Sequence, residues 1–163
     1  MNPAEQLEFV LGVRFIEPLW SYWHRLARES RPPPKSRFDV VDLPADSWSR
    51  LILFDVLEGA NSYRVRVMGT YLVEAYGSDF TGCLLVDSAI PRVTNSASYK
   101  LLPRVVESRA PQHYLGPCGF RLGPGFDDVA MVLLPLTDAG GRVAYAIGSI
   151  HYPSYREKHL WGV

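Results

Sequence analysis

The feature that most constrains the fold is a hairpin pattern in the first half of the chain. Residues 51–57 are an almost unbroken apolar run, residues 58–62 have the composition of a turn, and residues 63–67 alternate between apolar and charged side chains. This pattern predicts two antiparallel strands joined by a hairpin. The alternation puts Arg64 and Arg66 on one face of the second strand. Because charged side chains protect a sheet edge, the second strand is predicted to lie at an edge beside the buried first strand.

Three further strands are predicted in the second half of the chain. They cover residues 112–121, 129–136 and 143–152, and a hairpin at 137–142 joins the last two. Pro117 in the third strand is tolerated mainly at an edge, because proline has no N–H to donate to a neighbouring strand. The fourth and fifth strands are apolar at both parities, so they are predicted to be central and covered on both faces.

Two helices are predicted between the second and third strands. A short helix at 71–76 ends at a glycine. A longer helix begins after Thr94 or Asn95 and ends near Ser108. Pro103 lies inside it, and the hydrogen bond that proline removes is expected to kink the helix or split it just before that residue.

An amphipathic helix is predicted near the N-terminus. Apolar side chains in residues 15–28 recur at helical spacing and include Trp20 and Trp23. Residues 31–35 contain three consecutive prolines and are expected to form a stiff connector that neither continues the helix nor pairs with the sheet. The predicted organisation is an N-terminal helix with its connector at 1–35, one folded domain at 36–153, and a tail at 154–163.

These elements, in this order, resemble a PAS domain, and in particular a family of small stand-alone bacterial PAS-like proteins. The motifs that carry the resemblance are Tyr63-Arg64, Gly69-Thr70 and Tyr76-Gly77-Ser78-Asp79-Phe80-Thr81-Gly82. The resemblance implies an α+β fold with a five-stranded antiparallel sheet in the order 2-1-5-4-3 and helices on one face. The edge-like second and third strands agree with that order. The other face needs the N-terminal amphipathic helix, either from the same chain or from a second copy.

Composition limits the partners and the location. The 163 residues fit one domain with a sizeable core. The 17 Lys and Arg residues balance the 17 Asp and Glu residues, which argues against nucleic acid or an anionic membrane as the main partner. No apolar run could span a bilayer and the N-terminus does not resemble a secretory signal, so a cytoplasmic location is expected. Cys83 and Cys118 lack the spacing of a zinc site and are expected to be buried, reduced thiols.

The sequence predicts no enzyme and no metal site, and it leaves the cofactor unknown. It contains no nucleophile elbow, phosphate-binding loop or zinc-protease motif. PAS-type photoreceptors trap flavin with a cysteine in a Gly-x-Asn-Cys-Arg-Phe-Leu segment, and the matching stretch here, at Cys83, lacks the asparagine and the arginine. The helix that ends near Ser108 has no histidine of the kind that binds haem, although His113 is nearby. Flavin and haem are therefore disfavoured.

A small pocket is the remaining candidate site. Side chains of the two central helices are expected to face the sheet, and such a layer either encloses a ligand or packs as a solid core. His113, Arg121 and Tyr145 are the polar groups that could orient a ligand. The candidate pocket residues are Tyr71, Tyr76, Phe80, Tyr99, Leu102, Val106, His113, Arg121, Met131, Leu133, Tyr145 and Ile147.

Two functions remain open. The first is a non-enzymatic sensory or regulatory module that binds a small apolar or amphipathic metabolite and signals through contacts with an unidentified protein. The alternative is a filled-core adaptor that works by interaction or dimerisation and holds no ligand. A homodimer is expected, because aromatic side chains on an amphipathic helix can anchor an interface. The candidate interface residues are Phe15, Leu19, Trp20 and Trp23.

Overall fold

A computed structural model describes residues 1–29, 31–58, 62–85, 95–119, 127–154 and 156–157. The described helices are α1 (Pro3–Leu11), α2 (Glu17–Leu26), α3 (Thr70–Tyr76) and α4 (Ala97–Ser108). The described strands are β1 (Leu51–Val56), β2 (Tyr63–Met68), β3 (Leu84–Leu85), β4 (Gln112–Pro117), β5 (Asp128–Thr137) and β6 (Val143–His151). Three short 3-10 turns, at Lys35–Arg37, Val40–Asp42 and Ala45–Arg50, connect α2 to β1. No helix in these ranges is long and apolar enough to cross a membrane.

The strands form one antiparallel sheet in the order β3-β2-β1-β6-β5-β4. The five predicted strands correspond to β1, β2, β4, β5 and β6, so the predicted α+β class and the PAS-like order 2-1-5-4-3 are confirmed. The sheet has six strands rather than five, because the two-residue β3 pairs with the start of β2. β3 therefore covers part of the outer edge of β2. A strand of two residues is too short to be predicted from the sequence.

The hairpin of β1 and β2 contains a β-bulge. Leu53 lies opposite Val67, whereas the next residue of β1, Phe54, lies opposite Val65, so Arg66 is the extra residue. The bulge breaks the strict alternation that the sequence suggests, and both Arg66 and Val67 are exposed. The hairpin closes with a hydrogen bond from the Leu57 amide to the Ser62 carbonyl, at 2.8 Å.

The sheet has a core on each face, as the two-sided apolar pattern of the central strands requires. On the face that we call the inner face, α3 and α4 pack against β1, β5 and β6 through residues such as Leu72, Leu102 and Met131. On the opposite, outer face, α1 and α2 pack mainly over β4 and β5. The helix α1, which the sequence analysis did not predict, begins with a capping box formed by Asn2 and Glu5.

The N-terminal helices of the same chain cover the outer face. The sequence had left open whether this cover comes from the same chain or from a second copy. Leu19 and Trp23 of α2 are almost fully buried, and the indole Nε1–H of Trp23 donates a hydrogen bond to the Pro135 carbonyl at 2.7 Å. The proline connector also joins the sheet, because the Thr137 amide donates to the Pro33 carbonyl at 3.0 Å. The expectation that the connector cannot pair with the sheet was wrong, since prolines lack a donor but keep their carbonyl acceptor.

The helix α4 is one continuous helix with Pro103 inside it, so the expected split does not occur. Its cap is Ser96, not Thr94 or Asn95: the Ser96 hydroxyl accepts a hydrogen bond from the Tyr99 amide. The predicted end at Ser108 is confirmed.

Glycine is required at the start of α3. A Cβ atom on Gly69 would lie 2.2 Å from the Ser49 carbonyl oxygen, a backbone atom that cannot move aside. The Gly69-Thr70 motif therefore marks a place where the chain before β1 and the chain after β2 approach each other closely.

Candidate functional site

The inner face brings together most of the predicted pocket residues. Tyr76, Leu102, Met131 and Leu133 are buried in its core, and four more of the predicted residues pack at its margin. These marginal residues are Tyr71, Phe80, Tyr99 and Val106.

An open groove of about 320 Å³ lies between α4 and β4 at the edge of the inner face. Deeper in, the described side chains between α3, α4 and the central strands enclose almost no free space. The cavity among them measures about 10 Å³. That volume holds about one water molecule, whereas pockets for small ligands measure roughly 300 to 1,000 Å³. A flavin or a haem does not fit between these residues as they stand, so no step of the function is assigned to either group.

A cluster of hydroxyl groups surrounds this small cavity. The buried Tyr76 hydroxyl shares hydrogen bonds with Tyr152, Ser96 and Ser98, and the buried Cys118 lies beside them. Burial raises the pKa of Tyr76 and of Tyr152, so both phenols stay neutral at physiological pH. The sequence does not reveal this cluster, because its members come from α3, from the start of α4 and from the residue after β6.

Several predicted site residues lie elsewhere. Tyr145 and Ile147 are on the outer face, because β6 pairs with β5 so that Ile147 lies opposite Leu134 and not on the side of Leu133. His113 is also on the outer side, where it is half-buried and its Nε2 hydrogen-bonds the Pro3 carbonyl at 3.1 Å. Arg121 lies outside the described residues. On strands that are apolar at both parities, the sequence does not reveal which parity faces which core.

The candidate dimer residues divide into two pairs. Leu19 and Trp23 are buried within the chain. Phe15 and Trp20 are partly exposed. The Phe15 ring stacks under Arg50, and Trp20 packs against His24 at 4.5 Å between ring centroids.

The cysteines are also placed differently from each other. Cys118 is buried in the inner core, but Cys83 is only half-buried, so the expectation of burial does not hold for it. Asp127 and Asp128 lie at the start of β5, where the Asp127 carbonyl accepts a hydrogen bond from the Cys118 amide. Among the described residues, no three potential metal ligands come together.

The outer face carries an open groove beside the proline connector. Its floor is Leu51, Leu53 and Ile147, and its volume is about 340 Å³. One wall is formed by residues 35–40, which we call the 3-10 segment and which include Phe38 and Val40. The other wall is Val67 of β2. We call this surface the outer groove. Val40 is 39% exposed and Val67 is 49% exposed, so apolar surface reaches the solvent at both walls.

Two arginines and an aspartate lie on the same face of the sheet. Asp55 accepts a hydrogen bond from the Arg64 Nε at 3.2 Å and another from the Arg66 Nε at 3.0 Å. The Arg66 guanidinium also lies over the Tyr145 ring, 5.6 Å from its centroid. We call Arg64 and Arg66 the arginine pair. The bulge makes the arrangement possible, because it places a second arginine within reach of the one carboxylate.

A third polar cluster links the end of β6 to the residues that follow it. The Arg50 guanidinium lies between the rings of Phe15 and Tyr71, at 4.1 and 3.6 Å from their centroids, and hydrogen-bonds the Nδ1 of His151 at 2.8 Å. The other ring nitrogen of His151 hydrogen-bonds Glu157 at 3.0 Å. Burial, followed by the charge of Arg50, lowers the pKa of His151.

The chain resembles known proteins in structure but not in sequence. No protein-family model matches the chain, and no curated protein shows significant similarity to it. Several solved structures are similar in fold. One is the light-state LOV domain of the blue-light photoreceptor Aureochrome1, with 12% identity, coverage of 71% of this chain and 89% of that chain, and a TM-score of 0.44.

Two other solved structures have comparable scores. A fungal LOV-domain photoreceptor is 19% identical, with coverage of 83% of this chain and 91% of that chain and a TM-score of 0.46. A sensory box histidine kinase/response regulator from Burkholderia thailandensis E264 is 15% identical, with coverage of 72% and 88% and a TM-score of 0.43.

Proposed function

We propose that this chain is a non-enzymatic, PAS-like regulatory module that works through contacts with another protein and has a filled interior. The observation that carries the proposal is the contrast between the two faces of the sheet. The buried inner layer encloses about 10 Å³ among its described side chains, and the larger space on that face, about 320 Å³, is an open groove at its edge between α4 and β4. The outer groove measures about 340 Å³, lies over the central strands and exposes apolar walls. Exposed apolar surface in a groove is typical of a place where a partner binds.

This proposal favours the adaptor function over metabolite sensing. A metabolite held by α3, α4 and the sheet would have to displace side chains such as Leu102 and Met131, which are fully buried. Displacing packed side chains carries a cost that binding has to overcome. The balanced charge of the chain supports a protein as the partner rather than nucleic acid or a membrane. A cytoplasmic location remains a prediction. A homodimer remains a prediction, with Phe15 and Trp20 as its accessible aromatic residues.

The test is a search for small molecules released from the purified native protein on denaturation, measured by mass spectrometry. We expect no compound at a stoichiometric amount. The matched variant is Leu102→Trp, which would fill any inner cavity and cost about 1 to 3 kcal/mol of stability through overpacking. A stoichiometric compound that is present in the wild type and lost in Leu102→Trp would restore the metabolite-sensing function.

A further inference from the structure

We propose that the outer groove and the arginine pair together bind an amphipathic protein segment, in which an apolar side chain enters the groove and an Asp or Glu carboxylate binds the arginine pair. This inference rests on the proposed function, because it names the chemistry of the partner. It follows from where the apolar and charged groups lie on the sheet, from the charge of the cluster, and from the exposure of its side chains.

The groove and the charged cluster are neighbours on the same face. Leu53 and Asp55 are two positions apart on β1, and Ile147 and Tyr145 are two positions apart on β6, with Leu53 opposite Ile147 and Asp55 opposite Tyr145. Two positions along a strand correspond to about 6.6 to 6.8 Å. The floor of the groove therefore lies one such step from the carboxylate that holds the arginine pair.

That step matches the spacing of side chains on a regular partner segment. Residues three or four positions apart on a helix have Cβ atoms about 5 to 6 Å apart, and residues two positions apart on a strand are also close to this spacing. A single turn of an amphipathic helix can thus place one apolar and one acidic side chain on the two subsites at once.

The charge of the cluster selects a carboxylate. Arg64 and Arg66 bring two positive charges against the one negative charge of Asp55, so one positive charge is in excess. A carboxylate neutralises that excess. A phosphate group, with a charge of about −1.5 to −2, would exceed that excess and would be repelled by Asp55 more strongly than a carboxylate.

The arginine pair is also oriented for binding. Asp55 occupies the Nε–H donors of both arginines, and in the described part of the chain their terminal nitrogens make no hydrogen bond. The two side chains are 48% and 49% exposed, so the terminal nitrogens can be reached from the solvent. An arginine whose Nε side is already held loses less conformational freedom when its terminal nitrogens bind a carboxylate.

The experiment is a selection of binders from a random peptide display library, with the full-length protein as the target. We expect the selected peptides to share an Asp or Glu two to four positions from a large apolar residue. For a selected peptide, Arg64→Gln with Arg66→Gln should weaken binding by about 10-fold or more, and Val67→Glu should weaken it as strongly. The matched control is Lys100→Gln with Arg104→Gln, which removes the same two charges from exposed positions on α4 and should leave affinity unchanged.

Each outcome separates the inference from the proposed function. If Val67→Glu abolishes binding and the arginine variant does not, the groove stands and the carboxylate subsite is wrong. If neither variant matters, or the library yields no binder, the inference fails, whereas the proposed function is decided separately by the search for a stoichiometric small molecule. The glutamine variant leaves the buried Asp55 carboxylate without its two cations and could destabilise the fold. The second variant is therefore Arg64→Lys with Arg66→Lys, which keeps both charges but loses the planar guanidinium groups and should still weaken binding.

Two further results would overturn the choice of partner. Replacing the acidic residue of a selected peptide with phosphoserine should weaken binding, and tighter binding would show that the subsite is one for phosphate. Light scattering of the wild type and of Val67→Glu tests whether a second copy occupies the groove. A wild-type dimer that becomes a monomer in Val67→Glu would assign the groove to self-association instead.

Discussion

The two faces of this sheet are built from the same strands, yet they are covered to different extents. On the inner face, α3 and α4 lie over the central strands, and the polar groups enclosed there are neutral hydroxyls that bond to one another. On the outer face, α1 and α2 cover mainly β4 and β5, and the cover ends at the 3-10 segment that forms one wall of the outer groove. β1 and β2 therefore keep apolar surface and charged groups near the solvent.

The difference shows how burial decides which polar groups a face can hold. Enclosed polar groups must be neutral or fully paired, because the free energy of removing a charge from water is large. The Tyr76 and Tyr152 hydroxyls meet that condition on the inner face. Arg64 and Arg66 occur where the helices end, because their guanidinium groups can stay hydrated on one side while Asp55 holds the other. The charged cluster is thus placed at the accessible boundary, where it can meet a partner.

The largest expected effect comes from a substitution in α2, and it tests whether α2 covers the outer face of its own chain. Trp23→Ala should lower the free energy of unfolding by about 3 to 5 kcal/mol, because it leaves a large cavity and removes the hydrogen bond to the Pro135 carbonyl. Urea unfolding measures the loss, and the oligomeric state should not change. Trp20→Ala is the control, with a loss of about 1 kcal/mol, since its side chain is only partly buried.

The result would contradict this assignment if Trp23→Ala dissociated a dimer without destabilising the folded chain. The helix would then cover the sheet of a second copy, and the outer face of each chain would be more open than the comparison supposes. Equal losses for the two tryptophans would also count against it, because the difference in burial predicts a difference in cost.

Much of the fold could be predicted because its signals are local. The alternation in β2, the apolar runs of β5 and β6, and the proline in β4 specify strands and their places at the centre or edge. The strand order came from the resemblance to PAS domains. The sequence did not reveal the bulge at Arg66, since the extra residue leaves the alternation of letters intact while moving the side chains.

The candidate site was harder to predict, because it depends on pairing between distant residues. The face on which Ile147 lies is decided by its register with Leu134, and that register is a tertiary property. The approach of Asp55 to both arginines likewise needs the bulge. After β6, by contrast, a local sequence pattern does match the structure. Ser154 and Glu157 have the spacing of a capping box, and the structure shows their reciprocal hydrogen bonds.

A second pair of substitutions compares the faces directly. Leu102→Ala on the inner face should cost about 2 to 5 kcal/mol of stability, because the side chain is fully buried and packed from all sides. Val67→Ala at the wall of the outer groove should change stability by no more than about 0.5 kcal/mol, because the side chain is half exposed. Thermal or urea unfolding gives both values. Similar losses at the two positions would show that the outer groove is buried in solution.

The smallest expected effect concerns acid, and it tests the boundary between the two faces at the end of β6. His151 is buried, its Nδ1 accepts a hydrogen bond from Arg50, and its Nε2–H donates to Glu157. A second proton would have to go on Nδ1, which would remove that acceptor and bring a positive charge against Arg50. Burial and Arg50 accordingly lower the pKa of His151 in the folded state, whereas Glu157 opposes the shift.

The sign of the pH dependence follows from that lowered pKa. In the unfolded chain a histidine takes up its proton near pH 6.5, before the folded chain does, so acid stabilises the unfolded state. We expect the free energy of unfolding to be constant above about pH 6.5 and to fall as the pH drops from there towards the lower folded pKa. Asp138 and Glu157, whose pKa values are also lowered, lose their contribution only at more acidic pH, through their own ranges. His151→Gln should remove the first decline and leave the second. The opposite result would be a stability that increases on acidification in the wild type and not in His151→Gln. It would show that the ion pair with Glu157 outweighs burial and Arg50, so that protonation of His151 stabilises the contact between β6 and the residues that follow it.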